Sequence, residues 1–265
     1  MTKGRRAPIK GLKQVCLLFG NVFYSIAQWV ALWAIARCFN KAAVADFSLA
    51  SATATIVFAI IGLQLRDIVY SRLDYVGNAR RYVMIRVASC VASTIVCYAI
   101  ALLINLFYPQ TIGTSTIVAI SFMKSADAIT EVVNAGDISM GRYDRFVSVQ
   151  GACMVFRCAG LLAGALFLKS YEATLWLSGA GSTVVTLAVL IRTEFEDKLQ
   201  PIADGWYRKV LSGGTYLGIA VKMDSLTAAA PRFILDKTLG TGAVADFTVA
   251  MVLFQGVGAT LGLIV

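Results

Sequence analysis

The chain has 265 residues, of which 58% are hydrophobic and only 15% are charged, and its mean hydropathy is +0.73. Soluble domains carry about a quarter charged residues, so this composition excludes a soluble fold, a disordered chain, a collagen and a nucleic-acid-binding tail. The net charge of +9 is typical of a membrane protein whose basic residues lie in cytoplasmic loops. We therefore expect a lipid bilayer, and no nucleic acid, as a partner.

Histidine is absent from the chain. Its absence excludes Ser-His-Asp hydrolysis, Cys-His catalysis, histidine-ligated metals and imidazole proton relays. The cysteines form no Cys-x-x-Cys pair, and five of the six lie in apolar runs, as expected for buried side chains rather than for disulfides or a zinc site. They are Cys16, Cys38, Cys90, Cys97, Cys153 and Cys158. We expect neither an enzyme nor a metal cofactor.

Apolar runs long enough to cross about 30 Å of hydrocarbon, which takes roughly 20 residues, recur along the chain. Because they are continuous rather than alternating, they predict α-helices and not a β-barrel. In chain order they are 14–36, 47–65, a third and the start of a fourth within 87–123, then 146–168, 173–191, 210–231 and a last run after Asp246. The turn between the third and fourth is Tyr108-Pro109-Gln110 with Gly113. The predicted fold class is an all-α integral membrane protein with about eight transmembrane helices.

Basic residues sort unevenly between the two sides of these spans. Sixteen of the 24 Lys and Arg residues fall in the N-terminal tail, 66–86, 137–145 and 192–209. Five fall on the opposite side: Arg37, Lys41, Lys169, Arg232 and Lys237. Since cytoplasmic loops carry the basic excess, the N-terminus is predicted in the cytoplasm. A cleaved secretory signal is the alternative, but its 23-residue apolar run is longer than the usual h-region of about 7–15 residues.

The sequence contains an internal repeat with a shift of 200 residues. The segment KAAVADFSLA at 41–50 recurs as TGAVADFTVA at 241–250, and an ungapped comparison of 37–63 with 237–263 gives ten identities. The repeat matches the first two spans with the last two, which leaves an even number of spans in each unit. Both units then enter the membrane in the same direction, as parallel repeats, an architecture typical of transporters.

The spans and the repeat divide the chain into four segments. These are a basic cytoplasmic tail (1–13), a first six-helix lobe (14–192), a cytoplasmic inter-lobe linker (193–209) and the start of a second lobe (210–265). The last span is barely long enough for one crossing and has no charged flank. We therefore expect the frame to continue for roughly 130 residues, with about four more spans, in a complete two-lobe transporter.

The two repeated hairpins carry a family resemblance. The first has Arg37-Cys38-Phe39-Asn40 before AVADFSLA and a second span that ends at Gly62-Leu63; in the second, Pro231-Arg232-Phe233 is followed by Asp236 and Gly240. In these features the chain resembles bacterial polysaccharide flippases, the O-antigen, lipopolysaccharide and capsule exporters of the multidrug/oligosaccharidyl-lipid/polysaccharide (MOP) superfamily.

The resemblance implies a multi-pass transporter of the bacterial inner membrane. Its cargo would be a polyprenyl-diphosphate-linked glycan, moved across the bilayer by alternating access of two lobes, with glycan polymerase and ligase machinery as further partners. No cofactor is expected, and the sequence does not specify a coupling ion. The absence of a GxxxxGK[ST] motif argues against an ATP-driven pump within this chain.

Two other functions are open on the same sequence. A major-facilitator or multidrug transporter for small solutes is favoured by residues 73–81, LDYVGNARR, which partly match the loop motif of the facilitators. The segment lacks the leading glycine and the first arginine of that motif, and it is otherwise an ordinary basic loop. A non-transporting membrane assembly subunit is the third hypothesis, and the repeat with its interior charges argues against it.

Ionisable residues within the spans are candidates for a substrate path. Each costs about 2.5–3.5 kcal/mol at the centre of a helix, so each needs a partner or a function. Lys124, Asp127 and Glu131, followed by Asn134, are spaced so that they share one face of the fourth span. The spacing predicts a polar stripe along a cavity. A pair between Lys124 and Asp127 within the helix is the structural alternative.

Arg157, Lys222 and Asp224 complete the list of candidates. Arg157 has no acid on its own helix, and Lys222 and Asp224 point about 200° apart on theirs, so they cannot pair with each other. We expect Arg157 and Lys222 to bind phosphate. Interhelical bridges from these cations to Asp127 or Glu131 are the alternative.

Two further features concern structure rather than substrate. Asp46 and Asp246, in the repeated AVADF, are expected to cap the helices that follow them. Glycines 213, 214 and 218 are expected either to bend the seventh span or to let it pack closely on a neighbour.

Overall fold

The computed structural model describes residues 10–71, 75–107, 112–193 and 205–261. In this part of the chain every regular element is a helix and no strand occurs, as the continuous apolar runs predict. The helices are α1 (Lys10–Cys38), α2 (Lys41–Ile61), α3 (Leu65–Ser71), α4 (Tyr75–Phe107), α5 (Thr114–Ser139), α6 (Tyr143–Ala163), which continues as a π-helical turn over Gly164–Leu168, α7 (Tyr171–Arg192), α8 (Trp206–Leu239) and α9 (Thr241–Leu261).

Within the described ranges, five helical segments are long and apolar enough to cross a membrane. They are Leu18–Cys38, Lys41–Ile61, Asn78–Phe107, Tyr143–Leu168 and Tyr171–Arg192. Large apolar side chains also cover the outside of the bundle: Phe167 and Ile191 are each 83% exposed, and Leu106 is 75% exposed. A continuous apolar exterior is stable against lipid and not against water. The chain is therefore an all-α, multi-pass membrane protein, which confirms the predicted class.

Glycines allow α6 and α7 to pack closely. A Cβ atom added at Gly160 would overlap the backbone of Leu177, and one added at Gly164 would overlap the backbone of Thr174. Small residues at such contacts are typical of membrane helix bundles, in which packing rather than water exclusion holds helices together. The contact fixes α6 and α7 as a rigid pair, against which α1 and α5 also pack.

The two repeated aspartates do not cap their own helices. The charge-free run predicted a span from 47, but α2 begins at Lys41, and Asn40 is its N-cap, with its side-chain oxygen accepting from the backbone N–H of Ala43 at 2.8 Å. Asp46 is the sixth residue of α2, and Asp246 is the sixth of α9. The predicted capping role is wrong because the helix starts at a better cap and each aspartate finds a partner on a neighbouring element.

Two helices continue through charges that the sequence analysis placed in loops. Arg86 lies inside α4 and is 7% exposed, although its place in the basic segment 66–86 predicts a loop. Arg232 lies inside α8, which passes through Pro231 and ends eight residues later. Both assignments to loops are wrong. A charge inside a helix interrupts a charge-free run in the same way as a charge in a loop, so the run alone does not distinguish the two.

α8, the first helix of the second lobe, packs against the end of α2. A Cβ atom at Gly214 of α8 would overlap the carbonyl of Leu63, and one at Gly218 would lie 3.0 Å from the carbonyl oxygen of Ala59 on α2. α8 is continuous over this stretch, so these two glycines serve close packing.

The two copies of the repeat, α2 and α9, lie side by side. The hydroxyl oxygens of Ser48 and Thr248, which are equivalent positions in the repeat, are 2.6 Å apart and buried. Contact between equivalent residues is the arrangement that a rotation axis passing between the two copies produces, as in a two-fold interface. Lys41 and Asp246 form a second contact between the copies, with Nζ and Oδ1 3.0 Å apart.

Candidate functional site

A cavity of about 370 Å³ lies where α1, α2, α5 and α6 meet α8 and α9. Its size falls within the range of about 300–1,000 Å³ that is common for small-molecule sites. Among the described side chains, six ionisable groups line it: Arg86, Lys124, Asp127, Glu131, Arg157 and Arg232. The described wall therefore carries four cations and two carboxylates, contributed by α4, α5 and α6 of the first lobe and by α8 of the second.

The polar stripe on α5 faces this cavity. Lys124, Asp127 and Glu131 all line it, as their spacing on one helical face predicts. Asn134 continues the spacing but is 2% exposed, does not line the cavity, and has no hydrogen-bond partner for either of its side-chain polar atoms. The stripe that a ligand can reach therefore ends at Glu131.

Asp127 pairs with an arginine of another helix rather than with Lys124. Arg157 of α6 contacts Asp127 through Nη2, and its Nε donates to Ser182 Oγ of α7 at 3.0 Å. The Arg157 side chain is only 5% exposed, and that of Asp127 is 15% exposed. Breaking such a buried pair costs about 3–5 kcal/mol, since one charge is left without compensation. The interhelical bridge, the alternative to phosphate binding by Arg157, is thus present.

Arg86 of α4 is a wall residue that the sequence analysis missed. Its Nε donates to the carbonyl of Ala128 at 3.0 Å, its Nη1 donates to the carbonyl of Gly62, and its Nη2 lies 3.7 Å from Glu131. The Gly62 carbonyl is free to accept because α2 ends there. The segment YVMI at 82–85, directly before Arg86, is apolar and is the signal that would have placed this residue inside a helix.

The break after α2 carries two unusual backbone conformations. Leu63 and Gln64 have positive φ values of 58° and 40°, a region that side chains other than glycine disfavour. Gln64 lines the cavity beyond the end of α2. Arg86 stabilises this turn through the Gly62 carbonyl, so it links the helix break to the charged wall.

Arg232 of α8 is the second wall residue that the sequence analysis missed. It is the only lining charge from the second repeat among the described side chains, and its buried Nε has no hydrogen-bond partner. The apolar run 210–231 ends directly before Arg232, which predicts Arg232 outside the membrane. A proline ends a helix often but not always, because neighbouring helices stabilise the chain on both sides of it.

Lys222 and Asp224 also lie on α8, but their side chains are outside the described part of the structure. Of the six predicted substrate-path residues, the structure therefore brings together the four from the first lobe.

The charges of the wall divide into paired and unpaired groups. Arg157 is held by Asp127, and Arg86 lies next to Glu131. Among the described side chains, neither Lys124 nor Arg232 lies within 4.0 Å of a carboxylate oxygen or makes a hydrogen bond. The described wall therefore has two more cations than carboxylates, an excess of positive charge that can stabilise a bound anion.

No protein-family model, no curated protein and no solved structure matches this chain. The resemblance to polysaccharide flippases therefore stays a prediction.

Proposed function

We propose that the chain is a membrane transporter of the flippase type, which moves a polyprenyl-diphosphate-linked glycan across the inner membrane of a bacterium by alternating access. The observation that carries the proposal is the cavity between the two lobes, with two cations, Lys124 and Arg232, that lie within 4.0 Å of no described carboxylate oxygen. A diphosphate is a ligand of the opposite charge, and fixed cations in a site of low dielectric bind it strongly.

The two unpaired cations come from different repeats. Lys124 belongs to α5 of the first lobe, and Arg232 belongs to α8, the first helix of the second. A diphosphate between them draws the two units together, so its affinity depends on how the units are arranged. Ligand binding that favours one arrangement over another is what alternating access requires. Arg86 and Arg157, which already have carboxylate partners, take a positioning role in this proposal.

The described lining from α1 and α2 is uncharged and partly polar. Ser48, Ser51 and Thr55 face the cavity from α2, and Gln28 faces it from α1. Hydroxyl and amide groups of this kind form hydrogen bonds with sugar hydroxyls. A cavity lined by an excess of cations together with neutral hydroxyl and amide groups is suited to a ligand that joins a diphosphate to a sugar. The polyprenyl chain would remain in the surrounding lipid.

The proposal includes eight membrane spans with a cytoplasmic N-terminus. α5, α8 and α9 are added to the five apolar spans, since α5 has 26 residues and α8 has 34. At 1.5 Å per residue both exceed the roughly 20 residues that a crossing needs. The mean hydropathy of α5 is lowered by charges that face the cavity rather than lipid.

Reporter fusions test this topology. A reporter inserted after residue 73 is expected in the cytoplasm, and one inserted after residue 110 is expected outside it. The reverse result at either position contradicts the eight-span arrangement.

The cation requirement is tested with Lys124→Gln and Arg232→Gln in the complete protein, reconstituted into liposomes. The probe is a fluorescent farnesyl-diphosphate-linked N-acetylglucosamine, and the measured quantity is the rate at which it becomes accessible to a reagent in the other compartment. Each substitution is expected to slow flipping tenfold or more, since a charge-assisted contact contributes about 1.5–3 kcal/mol. Arg208→Gln, an exposed cation outside the cavity, is the matched control and should flip at the unmodified rate.

The same liposomes separate the alternatives. If Lys124→Gln and Arg232→Gln flip the probe as fast as the unmodified protein, the cation site is wrong. A protein that carries free pyrophosphate or small sugars but not the lipid-linked probe would be a small-solute transporter. A protein that moves none of these ligands, while folded and inserted, would favour the assembly-subunit hypothesis.

A further inference from the structure

The cavity is closed at one end and extends towards the other. On α1 its lining residues stop at Leu32, on α2 they begin at Phe47, and on α5 they begin at Met123. The stretches between these residues and the connection from α1 to α2 line no part of it. At the opposite end the lining continues past the last turn of α2 to Gln64. The closure therefore lies where α2 and α9 begin.

Three layers of contacts make this closure, and all three join α2 to α9. Nearest the cavity is the hydrogen bond between Ser48 and Thr248, which both line it. Above it Val44 and Ala245 are buried in one apolar cluster, and the fully buried Val244 belongs with Ala45 to a second. The first cluster also contains Leu32, Ile35, Ala119 and Leu175.

The outermost layer is the ion pair of Lys41 with Asp246. The two side chains are 69% and 68% exposed, so solvent screens their attraction and the pair is weak. We call the three layers the α2–α9 seal.

The aspartate of the first repeat fixes α2 to its own lobe. Asp46 accepts from the backbone N–H of Gly113 at 2.7 Å, from Thr116 Oγ1 at 2.6 Å and from Tyr171 Oη at 3.2 Å. These donors lie at the start of α5 and of α7, so three hydrogen bonds hold the start of α2 in place. The equivalent Asp246 has its ion pair across the seal and no such bond within the described part of α8 or α9.

We infer that the α2–α9 seal is the gate of the cavity, and that it opens by movement of α9 away from a fixed α2. The inference rests on the proposed function, because a gate has a purpose only if the cavity carries a cargo. Opening separates two hydroxyls that can form hydrogen bonds with water, an apolar layer that includes the buried Val244 of α9, and an exposed ion pair. None of these leaves a buried charge unpaired, so the free-energy cost of opening is mainly that of exposing the apolar layer. By contrast, movement of α2 would break the bonds of Asp46.

The gate is tested by the accessibility of the cavity to a thiol reagent, which requires no substrate. Ser51→Cys places a thiol on the cavity wall one turn below the seal. The complete protein is treated in right-side-out and inside-out membrane vesicles with a membrane-impermeant maleimide. Modification of position 51 is measured by peptide mass spectrometry, which distinguishes it from the native cysteines. With the seal closed, labelling is expected to be faster from the side away from the seal.

Two changes to the seal should move this labelling in opposite directions. A disulfide between Ser48→Cys and Thr248→Cys is expected to abolish labelling from the sealed side, with recovery on reduction. The hydroxyl oxygens at these positions are 2.6 Å apart, so two sulfur atoms there would lie within bonding reach. Lys41→Glu, which faces Asp246 with a like charge, is expected to raise labelling from the sealed side about two- to fivefold. The exchange Lys41→Glu with Asp246→Lys should restore the original rate.

Lys169→Glu, an exposed charge reversal at the end of the π-helical turn, is the control and should leave labelling unchanged. Equal labelling from both sides of the unmodified seal, or labelling that the disulfide does not reduce, would overturn the gate. Because no ligand is present, that result would leave the flipping of the lipid-linked probe as a separate question. Conversely, a failure of Lys124→Gln and Arg232→Gln to slow flipping would not alter the labelling pattern.

Discussion

The two copies of AVADF have the same five residues, but their aspartates make different contacts. Asp46 accepts three hydrogen bonds, from Gly113, Thr116 and Tyr171, all within the first lobe. Asp246, at the equivalent position, faces solvent and pairs with the other copy. In the first copy the aspartate of this segment therefore holds its helix within the lobe, and in the second copy it contacts the other copy. The surroundings of the aspartate, and not its local sequence, decide between the two.

The difference begins with one residue at the start of each copy. Lys41 is the first residue of α2 and forms an ion pair with Asp246. Thr241 is the first residue of α9, and because it is uncharged it cannot form the equivalent ion pair with Asp46. The pseudo-two-fold arrangement that brings Ser48 to Thr248 therefore has only one ion pair instead of two. Symmetry is kept in the hydroxyl layer next to the cavity and lost in the layer next to solvent.

The largest expected effect is the loss of stability on removing Asp46. Asp46→Ala leaves one backbone N–H and two hydroxyls without their acceptor, and each unsatisfied group costs about 1–3 kcal/mol. We expect a loss of about 3 kcal/mol or more in the free energy of unfolding, measured by thermal unfolding in detergent micelles. Asp246→Ala should cost less than about 1 kcal/mol, because its partner is exposed. Equal losses for the two variants would break the comparison.

A smaller effect is expected for Tyr171→Phe, which removes one of the three donors to Asp46. The loss should be about 1 kcal/mol, the usual net contribution of a hydrogen bond. It should disappear when Asp46→Ala is already present, since the two residues then no longer interact. Tyr216→Phe, at a residue that is 79% exposed, is the matched control and should be neutral. An undiminished loss in the Asp46→Ala background would show that Tyr171 stabilises the helix by another contact.

Much of the fold follows from the sequence, because apolar length and helical period are local properties. The helical class, the ends near Cys38 and Arg192, and the interval between Phe107 and Thr114 all agree with predicted boundaries. The common face of Lys124 and its neighbours on α5 was also predictable, since it depends only on a period of 3.6 residues.

The rest depends on contacts between distant parts of the chain. The sequence counts Arg86 and Arg232 as flanking charges, because a charge that faces a cavity looks the same in a sequence as one that faces water. The role of Asp46 requires Gly113, which lies 67 residues away. The pairing of Asp127 with Arg157 was considered only as an alternative, since spacing on one helix carries no information about the partner on another.

The smallest expected effect comes from giving the second copy the lysine of the first. Thr241→Lys places a cation at the position equivalent to Lys41. Thr241 and Asp46 both line a second pocket, outside the charged cavity. Because both carboxylate oxygens of Asp46 already accept hydrogen bonds, the new cation gains only a solvent-screened attraction. The change in the free energy of unfolding should stay within about 0.5 kcal/mol, as measured by the same thermal unfolding. A gain of more than about 1 kcal/mol would mean that Asp46 gives up its bonds to α5 and α7 for the lysine, and α2 would then not be the fixed side of the seal.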